Sequence, residues 1–344
     1  MSRTIGQSKH SSALGWRCAA VLSTALALLV IGEDAAMAQQ AVEIDPILGP
    51  IGDNDHRLPY HLDSIIGLAL VAYAVLVAAL INNVQPRARV IGIWGAAVGC
   101  LGIAGGIVFL DLAGAFSDVR PPRLPVDNLK PILMRALATM FGLSAIVLSI
   151  VAVGQAKRRD RLHIGNRNTP ARYGKIARYY HWTIAILFLL LIPMGVFTTM
   201  IPVDQAYRQA YYVIHKSLGL TVLILAAGRL VWLILSPAIK LDASLSGWEK
   251  FLAHGAHYTL YFFLFAFPIS GFVLSTYGGK LSHFFFWDTP LLWEHSFEGT
   301  KFPGLLHKVI LPYLFYLVFL AHILGALKHR FIDKHADAFR RMVT

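Results

Sequence analysis

The sequence predicts an all-α integral membrane protein whose spans fall into a group of three followed by a group of four. Three observations carry that expectation. Of 344 residues, 56% are hydrophobic and only 15% charged, with a mean hydropathy of +0.57, more apolar surface than a water-soluble chain of this length carries. Seven segments approach or exceed the ~20 apolar residues that cross a hydrocarbon core, at about 64–82, 90–110, 131–155, 179–200, 211–235, 251–275 and 305–328. Basic residues gather in particular connections between them, as cytoplasmic loops do.

The chain opens with a basic flank and a short apolar run, "RCAAVLSTALALLVIGEDAAMAQQ", with Ala36, Met37 and Ala38 before Gln39. Residues 1–38 read as a secretory signal peptide, or else as an N-terminal anchor. Residues 39–156 hold the first three spans. Arg87 and Arg89 follow the first span, and "KRRDRLHIGNRNTPARYGKIAR" follows the third. That run, 157–178, reads as a basic cytoplasmic linker before the four-span unit, 179–344. "KHRFIDKHADAFRRM" follows the last span. These charges place the linker and the C-terminus on the cytoplasmic side, with Gln39 outside. They also account for the net charge of +12 without a nucleic-acid partner; lipid is the expected surrounding.

The two cysteines, Cys18 and Cys100, exclude a cysteine-ligated iron–sulfur cluster and covalent haem attachment. The first unit has no ionisable residue deep in its spans, Arg135 lying near an edge. Its "DNDHRLPYHLD" segment carries His56 and His61, which read as a solvated external loop before a metal pair. Nothing in its sequence assigns this unit a role.

The chemistry lies in the second unit. Ionisable side chains inside spans are rare and tend to be functional, and here there are four histidines. His181 starts an outward span and His322 ends an inward one, so both lie near the cytoplasmic face. His215 and His307 both start inward spans and share the outer level. With ~1.5 Å rise per residue, the fifteen residues from His307 to His322 separate the levels by about 22 Å. Two imidazoles facing one another across a four-helix bundle make an axial pair for a b-type haem. Zinc needs more ligands than either depth supplies, and a proton relay calls for closer spacing and carboxylates. A transporter or sensor using these histidines for protons or metal is the contrasting class. It predicts a protein without haem absorption.

The spacing poses a register problem. At ~100° per residue, fourteen residues return a side chain to within about 40° of its face, whereas fifteen carry it about 60° past. Pro312 lies between His307 and His322, and prolines accompany kinks and π-bulges. A widened turn near Lys308–Pro312 is therefore expected to absorb the extra residue.

The stretches "RYYHW", "IHKSLGLTVLILAAGRLVW", "AHGAHYTLYFFLFAFPISG", "LHK…AHILGALKH" and "FIDKHADAFRRM" together give a resemblance. From about Arg172 to Met342 the chain resembles the bacterial cytochrome b561 family, and more distantly the cytochrome b subunits of formate dehydrogenases and nickel–iron hydrogenases. The resemblance implies a four-helix bundle with two haem b groups, ligated at His181 and His322 on the inner side and His215 and His307 on the outer. Members of the family usually space the last two histidines one residue closer. The family implies transmembrane electron transfer between an outer-face donor and the quinone pool, ubiquinone or menaquinone. It does so as a quinone-linked oxidoreductase, some members oxidising superoxide and reducing ubiquinone, or as the membrane anchor of a soluble dehydrogenase. The N-terminal unit has no counterpart in it.

Around the inner level, His254 and His257 open the sixth span one turn apart, and His329 and Arg330 follow His322 by about two turns. His257 and His329 are the candidates for hydrogen-bonding and protonating a quinone headgroup; snorkelling interfacial residues are the plainer reading. Arg178, Arg229 and Lys328 are placed to neutralise haem propionates. On the outer side, Lys216 and Lys308 directly follow histidines and suit either propionates or an anionic substrate, or are ordinary interfacial lysines. The aromatic loop "GKLSHFFFWDTPLLWEHSFEGTKFPG" is placed to cap the outer haem, dock a partner or anchor in the interface. Gly195, Gly219, Gly271 and Gly325 allow close approach of helices or of a porphyrin.

Overall fold

The computed structural model describes residues 43–45, 49–51, 61–116, 129–156, 164–201, 208–332 and 341–342. The signal-like segment, Cys18, His56, residues 157–163 of the basic run and the side chain of Arg330 lie outside the described residues.

Among the described residues, seven helical rods are long and apolar enough to cross a membrane. They are α1 (Leu62–Ile81), α2 (Pro86–Leu112), α3 (Lys130–Ala156), α4 (Lys175–Thr198), α5 (Arg208–Leu235), α6 (Gly247–Tyr277) and a last rod built of α7 (Phe297–Leu305), a π-turn (Leu306–Ile310) and α8 (Leu311–Phe331). Lipid offers no partner for backbone N–H and C=O groups, so a helix, which satisfies them internally, is the form these apolar runs take. Two short antiparallel hairpins complete the described chain. β1 (Glu43–Asp45) pairs with β2 (Gly49–Ile51), and β3 (Ser282–Phe284) with β4 (Trp287–Thr289).

The last rod begins eight residues before its expected start, at Phe297 rather than 305. Ser296 starts it as an N-cap, its Oγ accepting from the Gly299 N–H at 3.1 Å. The polar first turn is helical but too hydrophilic to register in a hydropathy profile. α6 starts on a capping box in which Ser246 and Glu249 satisfy one another's orphan donors.

α1 joins the two groups of helices: it packs on α2 within the first group and on α4 and α5 of the second. Its Ile66, Leu70 and Ala74 belong to the same buried cluster as Met134 and Phe141 of α3 and Ile184, Leu187 and Phe188 of α4. α2 and α3 are tied at one end by a two-pronged pair, Arg135 Nε and Nη2 donating to Asp111 at 2.7 and 2.8 Å.

At the opposite end of the bundle, the loop before α4 is fastened to the end of α5. Asn168 Nδ2 donates to the carbonyls of Ser236 and Pro237, and its Oδ1 accepts from the Gly174 N–H. The C-terminal residues return here too, the Met342 carbonyl accepting from Trp182 Nε1 at 3.0 Å.

Candidate functional site

His181, His215, His307 and His322 meet as two pairs. The imidazole centroids of His181 (α4) and His322 (α8) are 6.4 Å apart, with planes inclined at 55°. Those of His215 (α5) and His307 (π-turn) are 6.2 Å apart, at 84°. Two metal–imidazole bonds of roughly 2 Å, with about 1 Å from each nitrogen to its ring centre, give a separation of about 6 Å. Both observed separations are close to that value. Among the described residues no group of three or more His, Cys, Asp or Glu could hold a bare metal ion.

The register problem is resolved within the chain. Residues Leu306–Ile310 form a π-turn, closed by the Leu311 N–H donating to the Leu306 carbonyl five residues back. The turn lies just before Pro312, slightly earlier than expected, because the ring at Pro312 crowds the carbonyls preceding it. His307 sits inside this turn, and the extra residue is taken up there.

Small residues admit the outer pair. A Cβ on Gly195 would meet His215 Cε1 at 3.0 Å, and one on Gly271 would meet His307 Cε1 at 2.7 Å. At Gly219 and Gly325, one turn from His215 and His322, a Cβ would meet nothing within 4 Å. The first two glycines give the imidazoles their place; the last two border open space.

Ser270, which the sequence did not single out, lies 3.0 Å from His307 Nδ1 and also reaches the Phe267 carbonyl. With its one proton on that carbonyl, the hydroxyl accepts from His307 Nδ1–H, leaving Nε2 as the bare nitrogen. Between the two levels Phe188, Phe263, Phe267 and Phe315 pack ring against ring, and Phe267 touches His307 at 6.0 Å.

Around His181 and His322, Arg229 reaches His181 Nδ1 at 3.5 Å and Tyr261 Oη at 3.1 Å. The His257 ring stands edge-on to His322 at 5.3 Å. His254 is exposed and stacks on Tyr258 instead. His329 is half-buried two turns beyond His322. Lys328 Nζ lies 2.7 Å from Glu249 Oε1, joining α8 to the start of α6. Arg178 is fully buried.

At the other end, Lys216 Nζ donates to the Leu281 carbonyl at 2.8 Å, and Lys308 is exposed. The β3–β4 hairpin is pinned over this pair. Ser217 Oγ donates to the His283 carbonyl and accepts from the Phe285 N–H, while Ser64 of α1 donates to the Phe285 carbonyl at 2.6 Å. Buried His283 pairs through Nδ1 with Asp288. None of these long-range partners has a local signature in the sequence.

A family model described as prokaryotic cytochrome b561 matches residues 172–344. Cytochrome b561 homolog 2 of Escherichia coli (strain K12) is 32% identical over 177 residues, which cover 51% of this chain and 93% of that protein. The matched region contains all four paired histidines, and the chain belongs to the prokaryotic cytochrome b561 family, whose work is transmembrane electron transfer by b-type haem.

Proposed function

We propose that the chain holds two b-type haems, His181 and His322 ligating one and His215 and His307 the other, for electron transfer between an outer-face donor and the quinone pool. The double pairing of imidazoles at 6.4 and 6.2 Å, one pair towards each end of a single bundle, carries this reading. The open space beside Gly219 and Gly325 and the Nδ1–H of His307 held by Ser270 support it. A haem bound at each level would supply a one-electron carrier with a potential set by its imidazoles, nearby cations and burial. Arg229 and Arg178 offer cations to carboxylates near His181.

His257 and His329 are the residues for hydrogen-bonding a ubiquinone or menaquinone headgroup and supplying its protons; the edge-on approach of His257 to His322 favours His257. The basic residues around the His181–His322 end, among them Arg172, Lys175 and Arg341, support a cytoplasmic orientation for it. The donor at the other face is superoxide in a self-contained quinone-linked oxidoreductase. The anchor of a soluble dehydrogenase is the second reading, favoured by the exposed Phe286, Trp287 and Trp293 around the outer hairpin.

A reduced-minus-oxidised spectrum of the purified chain, with haem quantified, tests the proposal. Two b-type haems per chain are expected. A chain without b-type absorption overturns it and favours proton or metal transport. Quinone reduction by superoxide with the chain alone selects the oxidoreductase; a soluble subunit co-purifying in equal amount selects the anchor.

A further inference from the structure

Phe285 stands where the outer hairpin meets both groups of helices. It opens the two-residue turn between β3 and β4, Phe285 and Phe286, in a left-handed conformation with φ 56°. Glycine is the ordinary occupant of that position, because a side chain there is crowded by its own backbone. A residue so placed persists only when its surroundings hold it. Two helices hold this one. Its N–H donates to Ser217 Oγ of α5 at 2.8 Å, and its carbonyl accepts from Ser64 Oγ of α1 at 2.6 Å. Its ring lies against α1 at Gly67, where a Cβ would meet Phe285 Cε1 at 3.1 Å. Beside it, the Phe286 ring stands edge-on to His61, at the start of α1, at 5.9 Å.

On α5 the hairpin grips the two residues that follow a paired imidazole. Lys216 Nζ donates to the Leu281 carbonyl at 2.8 Å, and Ser217 Oγ to the His283 carbonyl at 3.1 Å. At ~100° per residue, these side chains project about 100° and about 200° round α5 from His215. The grip is therefore on the flank and back of a helix whose front presents His215 to His307. Ser64, Ser217, His283 and Phe285 are all buried, which leaves water little access to compete for these bonds.

We propose that Ser64 is a positioning residue for the outer pair. By holding Phe285 it closes the hairpin on α5, and the closed hairpin fixes the rotation of the turn that carries His215. Groups that orient a ligand also tune the potential of the metal it binds. The consequence for haem rests on the function proposed above; the clasp itself does not. Ser64 lies outside the matched family region, 172–344. The first three helices thereby acquire a task in the chemistry of the last four: α1 steadies an imidazole that α5 carries.

The test compares the full-length protein with Ser64→Ala in detergent. Amide hydrogen exchange of residues 281–289, read by mass spectrometry, reports the clasp with or without haem. Losing one buried hydrogen bond should speed that exchange about two- to tenfold. A redox titration and the low-spin EPR signal, which depends on the angle between two axial imidazole planes, report the position of His215. The outer component is the one that His215→Ala protein lacks. Faster exchange is expected together with a moved potential and EPR signal of the outer component, the inner one staying in place. Unchanged exchange overturns the clasp. Faster exchange with the outer component unmoved overturns the positioning of His215, and equal movement of both components overturns it too, making Ser64 a support of the whole bundle. A parent without b-type absorption sinks the function proposed above and the positioning with it, while exchange still decides the clasp. Where Ser64→Ala fails to accumulate, Ser64→Cys, which nearly keeps the volume and weakens the bond, answers the same questions.

Discussion

Ser270 Oγ lies 3.0 Å from His307 Nδ1 and bonds the carbonyl of Phe267 on its own helix. α6 thereby fixes the tautomer and the ring angle of an imidazole that belongs to another helix. Partners of this kind commonly change ligand affinity by about 10–100-fold. Ser270→Ala is therefore expected to lower occupancy of the outer b component selectively, while Ser270→Thr, which keeps a hydroxyl, retains most of it. A pyridine haemochrome assay with a redox titration separates the components. Equal loss from both would mean that Ser270 supports the bundle and not the ligand.

Gly271 makes a steric prediction at the same site. A Cβ there would stand 2.7 Å from His307 Cε1, closer than real side chains approach, and one on Gly195 would stand 3.0 Å from His215 Cε1. Close-packed interiors have little room to yield. Gly271→Ala should displace His307 and remove the outer b component, and Gly195→Ala should weaken it less. Haem content per chain and the component potentials read the outcome; a Gly271→Ala protein with both components intact would show that the imidazole has another place to go.

The quinone assignment is checked by kinetics. The His257 ring is 5.3 Å from His322 yet belongs to neither facing pair. His257→Gln should slow electron exchange with a soluble quinone analogue at least tenfold while leaving haem content unchanged, and His329→Gln should act in the same direction. Loss of the inner component instead would make His257 a packing partner of His322.

What the sequence revealed and what it hid follow from the range of the interactions. Spans are continuous apolar runs; seven were expected, and the described residues hold seven. The depth of each histidine follows from its distance to a span end, and Pro312 together with the fifteen-residue spacing pointed to a widened turn, found at Leu306–Ile310. By contrast, the contact of Ser64 with Phe285 joins residues 221 apart in the chain, and Trp182 reaches Val77, Ile81, Ile93 and Ala152 only when the first three helices dock on α4. Such meetings are set by tertiary packing and have no periodicity to read. The polar start of the last rod escaped for a different reason: it is held by a cap and not by hydrophobicity.

Lys328 illustrates how a partner narrows a role. Placed near the inner level by its position, it lies 2.7 Å from Glu249 Oε1, in the capping box of α6. Lys328→Met is expected to leave both b components and their potentials in place and to lower the thermal midpoint slightly, since partly exposed ion pairs contribute little. A fall in the potential of the inner component would return Lys328 to the propionates.

The π-turn gives the sharpest test of register. Its bond from the Leu311 N–H to the Leu306 carbonyl takes up one residue between His307 and His322. Deleting Val309 removes that surplus and allows an ordinary i→i−4 ladder, leaving His307 within about 40° of the face of His322. Deleting Val318, within regular α-helix beyond Pro312, leaves the π-turn intact and rotates everything after it by ~100° relative to His307. The first deletion should therefore keep two b-type haems per chain, and the second should lose the inner one. Haem quantified per chain distinguishes them. If both deletions cost the same haem, the widened turn does not set the register of the two imidazoles.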